Sequence, residues 1–343
     1  MFGQKMTGTA KKNIQDILSL CFDHDDSKHS VVVYDTECEL AKILTTAYKQ
    51  VLPSATFINF YETTADDILK LFSELKAKDL VVLIQSTNFR LNAFRIRVEL
   101  FKQSLKVIEH PRLNRMIDEQ INYYIDSLAY DPNYYRRIGA ALKNKIDAAN
   151  KCIIDTGDNN FLNFNSEFET AKLNVGDYRE MKNIGGQFPI GEVFTEAKNL
   201  ESVRGRAKVF CFGDTSFNTN TPEIPITLII EKGQIIGCEN STEEFEIVLK
   251  NIRADEGVVR IRELGFGMNR AFTKDRVVTD IGTYERMCGI HLSLGAKHDS
   301  YAKPELKRGV GRHHVDVFLI TESVTLVNDL GSEVVYKDTR WCV

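Results

Sequence analysis

Residues 80–86 read LVVLIQS, and the five residues that begin this run are all apolar. A strand with two apolar faces must be covered on both sides, which places it in the middle of a sheet sandwiched by helices. The preceding sequence has the same construction. SVVVYD at 30–35 is followed by the amphipathic ELAKILTTAYKQVL at 39–52, and ATFINFY at 55–61 by DDILKLFSELK at 66–76. Such strand–helix repeats predict an α/β N-terminal domain with a doubly wound parallel sheet.

TNFRLNAFRIRVELFKQSL then reads as a loop and helix, and KVIEH at 106–110 as a fourth strand ending in His110 and Pro111. Ligands of open α/β sheets collect beyond the carboxyl ends of the strands, so His110 is a candidate substrate contact; a histidine exposed in a turn is the other reading. MIDEQINYYIDSL and NYYRRIGAALKNKIDAAN are two helices whose tyrosines, 123, 124, 134 and 135, either line a substrate mouth or pack between domains. No G-x-G-x-x-G follows SVVVYD and no G-x-x-x-x-G-K-[ST] occurs, so the sheet carries no signature of a dinucleotide or nucleoside triphosphate.

Between residues 150 and 174 the pattern changes, and the domains are read as 1–165 and 166–343. KCIIDTGD, NFLNFNS, AKVFCFGD, ITLIIEKGQIIGCE, VVRIRELGFGMN, GIHLSLG, VDVFLI, SVTLVND and EVVYKD are strand-like, with a hairpin signal at Lys232 and Gly233 and one helix, TEEFEIVLKNIRA. The expectation is an α+β, strand-rich C-terminal domain that binds metal, its sheet mainly antiparallel or a partial barrel.

That expectation rests on residues 289–316, which hold four of the seven histidines, His291, His298, His313 and His314, together with Asp299 and Asp316. Imidazoles and carboxylates set between glycine-rich turns are the donors a transition metal requires. Two glutamates stand in comparable settings: Glu192 follows the turn of GQFPIG, and Glu263 precedes the glycines of RELGFGMN.

The remaining composition narrows the partners. The formal charge is −4, from 44 basic and 48 acidic residues without long runs of one sign, so neither nucleic acid nor an anionic membrane surface has an electrostatic footprint to bind. A peptide or small-molecule substrate is expected instead. The seven cysteines are an odd, scattered set without C-x-x-C spacing, which fits free thiols in a reducing compartment. The N-terminal residues lack the apolar core of a signal peptide, and no run approaches the roughly 20 apolar residues of a membrane span. A cytoplasmic location is the expectation.

GEVFTEA, ELGFGMN, GIHLSLG and HHVD, in this order, resemble the motif series of the thermophilic metallopeptidase family that includes aminopeptidase T and aminopeptidase S, enzymes with two co-catalytic metal ions. The likeness is concentrated in residues 185–320. It implies that Glu192, Glu263, His291, His314 and Asp316 are metal ligands, with His313 outside the set, and that the chain is a homodimer. The family's sixth ligand is a tyrosine seven residues after the first motif histidine; that place is taken here by His298, and the nearest tyrosine is Tyr301. The acidic residue before the histidine motif is also displaced, Glu285 standing six residues ahead of His291.

The resemblance implies a metallo-aminopeptidase that releases an N-terminal residue from a peptide or aminoacyl amide, with two zinc, cobalt or manganese ions and with His298 or Tyr301 stabilising the oxyanion. A second reading takes His291, His314 and Asp316 as the two-histidine, one-carboxylate set of a single iron(II), as in the related 2,5-dihydroxypyridine dioxygenase. A third is a homologue that binds peptide without catalysis. Retention of both Glu192 and Glu263 favours two metals over one.

Overall fold

The structure is a computed structural model that describes residues 2–91, 96–298, 300–303, 306 and 311–343. The chain divides into two compact units, one of Met1–Pro132 with Gly176–Ile190, the other of Asn133–Val175 with Gly191–Val343. The boundary read from the sequence, 165/166, falls inside the first segment of the second unit.

The first unit is built on a five-stranded parallel sheet, in the order Thr56–Asn59, Ser30–Tyr34, Leu80–Ile84, Lys106–His110, Gly185–Gln187. Leu80–Ile84 lies inside this order and every residue in it is buried, as its unbroken apolar run requires. On one face Val31, Val33, Val81, Leu83 and Val107 pack with Ile68 and Phe72 of the helix Ala65–Glu74. Thr64 starts that helix by accepting a hydrogen bond from the Asp67 amide (3.2 Å) and donating one to the Asp67 carboxylate (2.6 Å), which satisfies an amide the first turn leaves open.

The strand Gly185–Gln187 has no counterpart in the sequence reading. Its residues, GGQ, supply no apolar alternation, and it joins the sheet through backbone alone. Gly185 is required there, with φ of +123° and the Val107 carbonyl oxygen 2.0 Å from where a Cβ would stand.

The second unit contains a 14-stranded antiparallel sheet that curves as a half-barrel. All nine strand-like stretches of the sequence are strands in it. Lys232 and Gly233, with φ of +48° and +69°, form the two-residue turn of a hairpin. Thr242 caps the helix Glu243–Glu256 and Gly257 ends it at φ +80°. Trp341, the only tryptophan, is buried and donates its indole N–H to the Gly267 carbonyl (3.0 Å), so the C-terminal strand packs on the body of this unit. Among the described residues no helix is long and apolar enough to cross a membrane.

Candidate metal centre

Four neighbouring strands of the second unit, Glu192–Glu196, Ile261–Gly267, Gly289–Leu294 and Val315–Leu319, build the site. Their register pairs Gly267 with Glu192, Glu263 with Glu196, Gly265 with both Phe194 and His291, and Ser293 with Asp316. Residues directly opposite one another in an antiparallel sheet share a face, and so do residues two apart along a strand. One face of these four strands therefore carries Glu192, Glu196, Glu263, His291 and Asp316 together. Gly265 is the low point of this face, and the His291 ring lies across it, 2.0 Å from the place a Cβ would take.

The donors converge in two overlapping sets. Glu192, Glu263, Glu285 and His291 offer ligand atoms that all lie within 4.8 Å of one another, and so do Glu263, Glu285, His314 and Asp316. Glu263 and Glu285 belong to both. Glu285 comes from the turn that follows the short helix Ile281–Tyr284, which Asp280 caps by accepting from the Thr283 amide. Arg286, beside it, places Nη1 2.8 Å from Glu192 and 2.5 Å from Glu285.

The imidazoles and carboxylates stand in close pairs. His291 Nε2 is 3.2 Å from Glu192 Oε1, His298 Nε2 is 2.9 Å from Glu263 Oε2, and His314 Nε2 is 3.2 Å from Asp316 Oδ1. Despite these distances, Glu192 Oε1, Asp316 Oδ1 and His298 Nε2 are buried without a hydrogen-bond partner. Leaving a buried carboxylate oxygen unsatisfied costs about 1–3 kcal/mol or more, and a cation between the donors removes that cost. His314 donates from Nδ1 to the Lys297 carbonyl (3.1 Å), which turns Nε2 toward the site. This is the orientation of a metal-binding imidazole. The residues present fit a divalent cation.

Electrostatics agree. Burial opposes ionisation of Glu263, but the imidazoles of His291 and His298 beside it outweigh that and hold the carboxyl well below the usual range. Glu285 is pushed up to about 7 by burial, against the opposing charge of Arg286 and with the help of Glu192 and Asp316. Burial would depress His314, yet Asp316 and Glu263 lift it to about 10. A pocket whose carboxylates pull protons onto its histidines is rich in negative charge.

The other sequence candidates lie as follows. His298 stands at the edge of the cluster, its Nδ1–H donating to Glu196 Oε2 at 2.9 Å. Glu196 is fully buried and also held by Arg262 (2.8 Å) and Lys303 (3.3 Å). Tyr301 stacks edge-on against His298 at 5.3 Å, but its hydroxyl donates to the Thr170 carbonyl (2.8 Å) and is engaged away from the donors. His313 pairs with Asp255 at 2.7 Å. Asp299 lies outside the described residues.

His110 belongs to the first unit and is not exposed in a turn: it is fully buried. Its Nε2 accepts from the Tyr48 hydroxyl (2.9 Å) and its Nδ1 meets Tyr124 Oη (2.9 Å). Since the Tyr124 hydroxyl donates to the Phe188 carbonyl (3.2 Å), the proton of the imidazole sits on Nδ1. With both nitrogens occupied, this is the setting of a structural histidine. Burial lowers its pKa to about 3 from an ordinary 6.5. The unfolded chain therefore takes up this proton first, and the stability His110 contributes is complete above pH 6.5 and lost as pH falls toward 3. That loss is on the order of 5 kcal/mol at the acid limit. In denaturant titrations between pH 8 and pH 4, H110F will start less stable, having removed the acceptor of the Tyr48 hydroxyl, and will show a shallower acid decline. Parallel declines in the two proteins would contradict this assignment.

Sequence reasoning missed Glu196 and Arg286 as parts of the site. Glu196 carried a signal: in EVFTE, alternation places residues 192 and 196 on one face of a strand. Arg286 carried none, since a charged residue in a turn has no periodicity.

No protein-family model matches this sequence, and neither does any curated protein sequence. Solved structures do match. 2,5-Dihydroxypyridine dioxygenase from Pseudomonas putida KT2440 superposes with a TM-score of 0.63 over 98% of both chains at 14% identity. Wild-type AmpT from Thermus thermophilus superposes with a TM-score of 0.60, over 98% of this chain and 99% of that one, at 12% identity. At such identities the likeness is one of fold.

Proposed function

We propose that this chain is a metal-dependent hydrolase of the aminopeptidase type, releasing an N-terminal residue from a peptide or aminoacyl amide. The observation that carries the reading is the pair of donor sets sharing Glu263 and Glu285, with Glu192 and His291 at one end and His314 and Asp316 at the other. Shared carboxylates are what two co-catalytic ions require. The iron(II) alternative calls for His291, His314 and Asp316 in one set; among the described residues they fall into two. The four sequence motifs and the fold shared with AmpT, an aminopeptidase, support the substrate class.

Zinc, cobalt or manganese ions held by these donors would polarise a scissile carbonyl and supply hydroxide near neutral pH. The chain's own part is to hold and move protons. With Nδ1–H tied to Glu196, His298 presents Nε2 toward Glu263 and can carry a proton from the attacking water to the leaving amine. Arg262 and Lys303 keep Glu196 in place, which fixes the tautomer of His298. His298 also takes the oxyanion-facing role that Tyr301, its hydroxyl spent on Thr170, does not supply.

The test is hydrolysis of aminoacyl amides and short peptides by protein reconstituted with each of these ions. Turnover that chelator abolishes and added ion restores is expected. Metal-loaded protein that leaves the whole panel intact, while consuming oxygen with a hydroxylated N-heterocycle, would contradict the reading.

A further inference from the structure

We infer that Arg286 makes the two cation positions unequal, acting as a resident counter-charge that the second divalent ion must displace. The inference rests on the reading that both donor sets hold ions. Arg286 is 9% exposed, and its guanidinium stays charged at any working pH. Its Nη1 contacts Glu192 Oε2 at 2.8 Å and Glu285 Oε2 at 2.5 Å, while its Nε–H is buried without an acceptor. The guanidinium is thus held by one arm rather than as a two-bond fork, and it can swing without breaking a bidentate pair.

The two positions feel this differently. The set of Glu192, Glu263, Glu285 and His291 shares two of its four residues with Arg286, whereas the set of Glu263, Glu285, His314 and Asp316 shares only Glu285. An ion at the first set must take Glu192 Oε2 from the arginine, or bind beside a like charge at nearly contact distance in a buried setting where screening is weak. The position at His314 and Asp316 therefore fills first and tightly. The position at Glu192 and His291 fills second and exchanges. Before any ion binds, Arg286 offsets part of the repulsion among Glu192, Glu263, Glu285 and Asp316, so it stabilises the metal-free chain while it opposes full loading.

The experiment is calorimetric titration of the metal-free full chain with Mn(II), and separately with Zn(II), in the wild type, R286M and R286K, alongside the thermal midpoint of each metal-free protein. The wild type should show two steps at least tenfold apart in affinity. R286M should tighten the weaker step by at least tenfold, leave the stronger step within about threefold, and lower the metal-free midpoint; R286K should keep the steps separated. Two equal steps in the wild type, or a weak step that R286M leaves unchanged, would overturn the inference while the two-ion reading stands. If neither protein binds any ion, that reading falls and this inference with it. Should R286M fail to fold, the separation of steps in the wild type decides alone.

Discussion

With an ion in each donor set, as proposed, Glu263→Gln will cost this chain both cation positions at once. Glu263 belongs to both donor sets and is approached by His291 Nε2 at 3.4 Å and by His298 Nε2 at 2.9 Å. The amide keeps the shape of the carboxylate, but it carries no charge and offers one acceptor oxygen in place of two. Loss of an outer partner alone typically costs 10–100-fold in metal affinity, so loss of a shared ligand should cost at least about 100-fold. Hydrolysis at limiting metal should fall by about 1,000-fold or more, roughly 4 kcal/mol of barrier. Equilibrium dialysis and aminoacyl-amide turnover measure the two effects. If E263Q keeps wild-type metal content and rate, Glu263 is not a ligand. Because the carboxyl is held well below its usual pKa by its histidines, which outweigh its burial, the metal-free variant should also lose the charge on His291 at a lower pH than the wild type.

Gly265→Ala tests the floor of the site by steric means alone. The backbone at Gly265 pairs with strands on both sides and cannot slide. An added Cβ would stand 2.0 Å from Cε1 and Nε2 of His291, in a place where no atom can remain. The ring must leave the face or the strands must part. Overpacking of a tight interior costs 1–3 kcal/mol and occasionally more; with His291 fully buried, about 3 kcal/mol is expected here. Chemical denaturation should show the midpoint shifted, and the cation position that uses His291 should be lost even under conditions where G265A is folded. A variant with unchanged stability and unchanged metal binding would show that His291 does not lie over Gly265.

These residues also show how much the sequence disclosed. The parallel sheet was legible because strands buried on both faces write an unbroken apolar run, as at Leu80–Ile84, and because the helices between them are amphipathic. The antiparallel strands were legible from β-branched alternation, and the Lys232–Gly233 turn from the need for positive φ. Gly185–Gln187 was not, since a strand that joins by backbone alone has no side-chain pattern. Within the site, the motif residues Glu192, Glu263, His291, His314 and Asp316 could be singled out, and the sheet register brings Glu192, Glu263, His291 and Asp316 onto one face. What supports them is less visible in one dimension. Arg262 and Lys303 reach Glu196 from 66 and 107 positions away, and Glu285 enters from a turn whose only local mark is the Asp280 cap. His298 and Tyr301, indistinguishable by spacing, are separated by where the hydroxyl of Tyr301 goes, to the carbonyl of Thr170.

The central claim is that two cation positions share Glu263 and Glu285. Anomalous diffraction from crystals of the full chain soaked in saturating Zn(II) or Mn(II) tests it directly. The account predicts two peaks, one among Glu192, Glu263, Glu285 and His291 and the other among Glu263, Glu285, His314 and Asp316, on the order of 3.5–4 Å apart. A single peak bound by His291, His314 and Asp316 together, with Glu192 uninvolved at saturation, would contradict it.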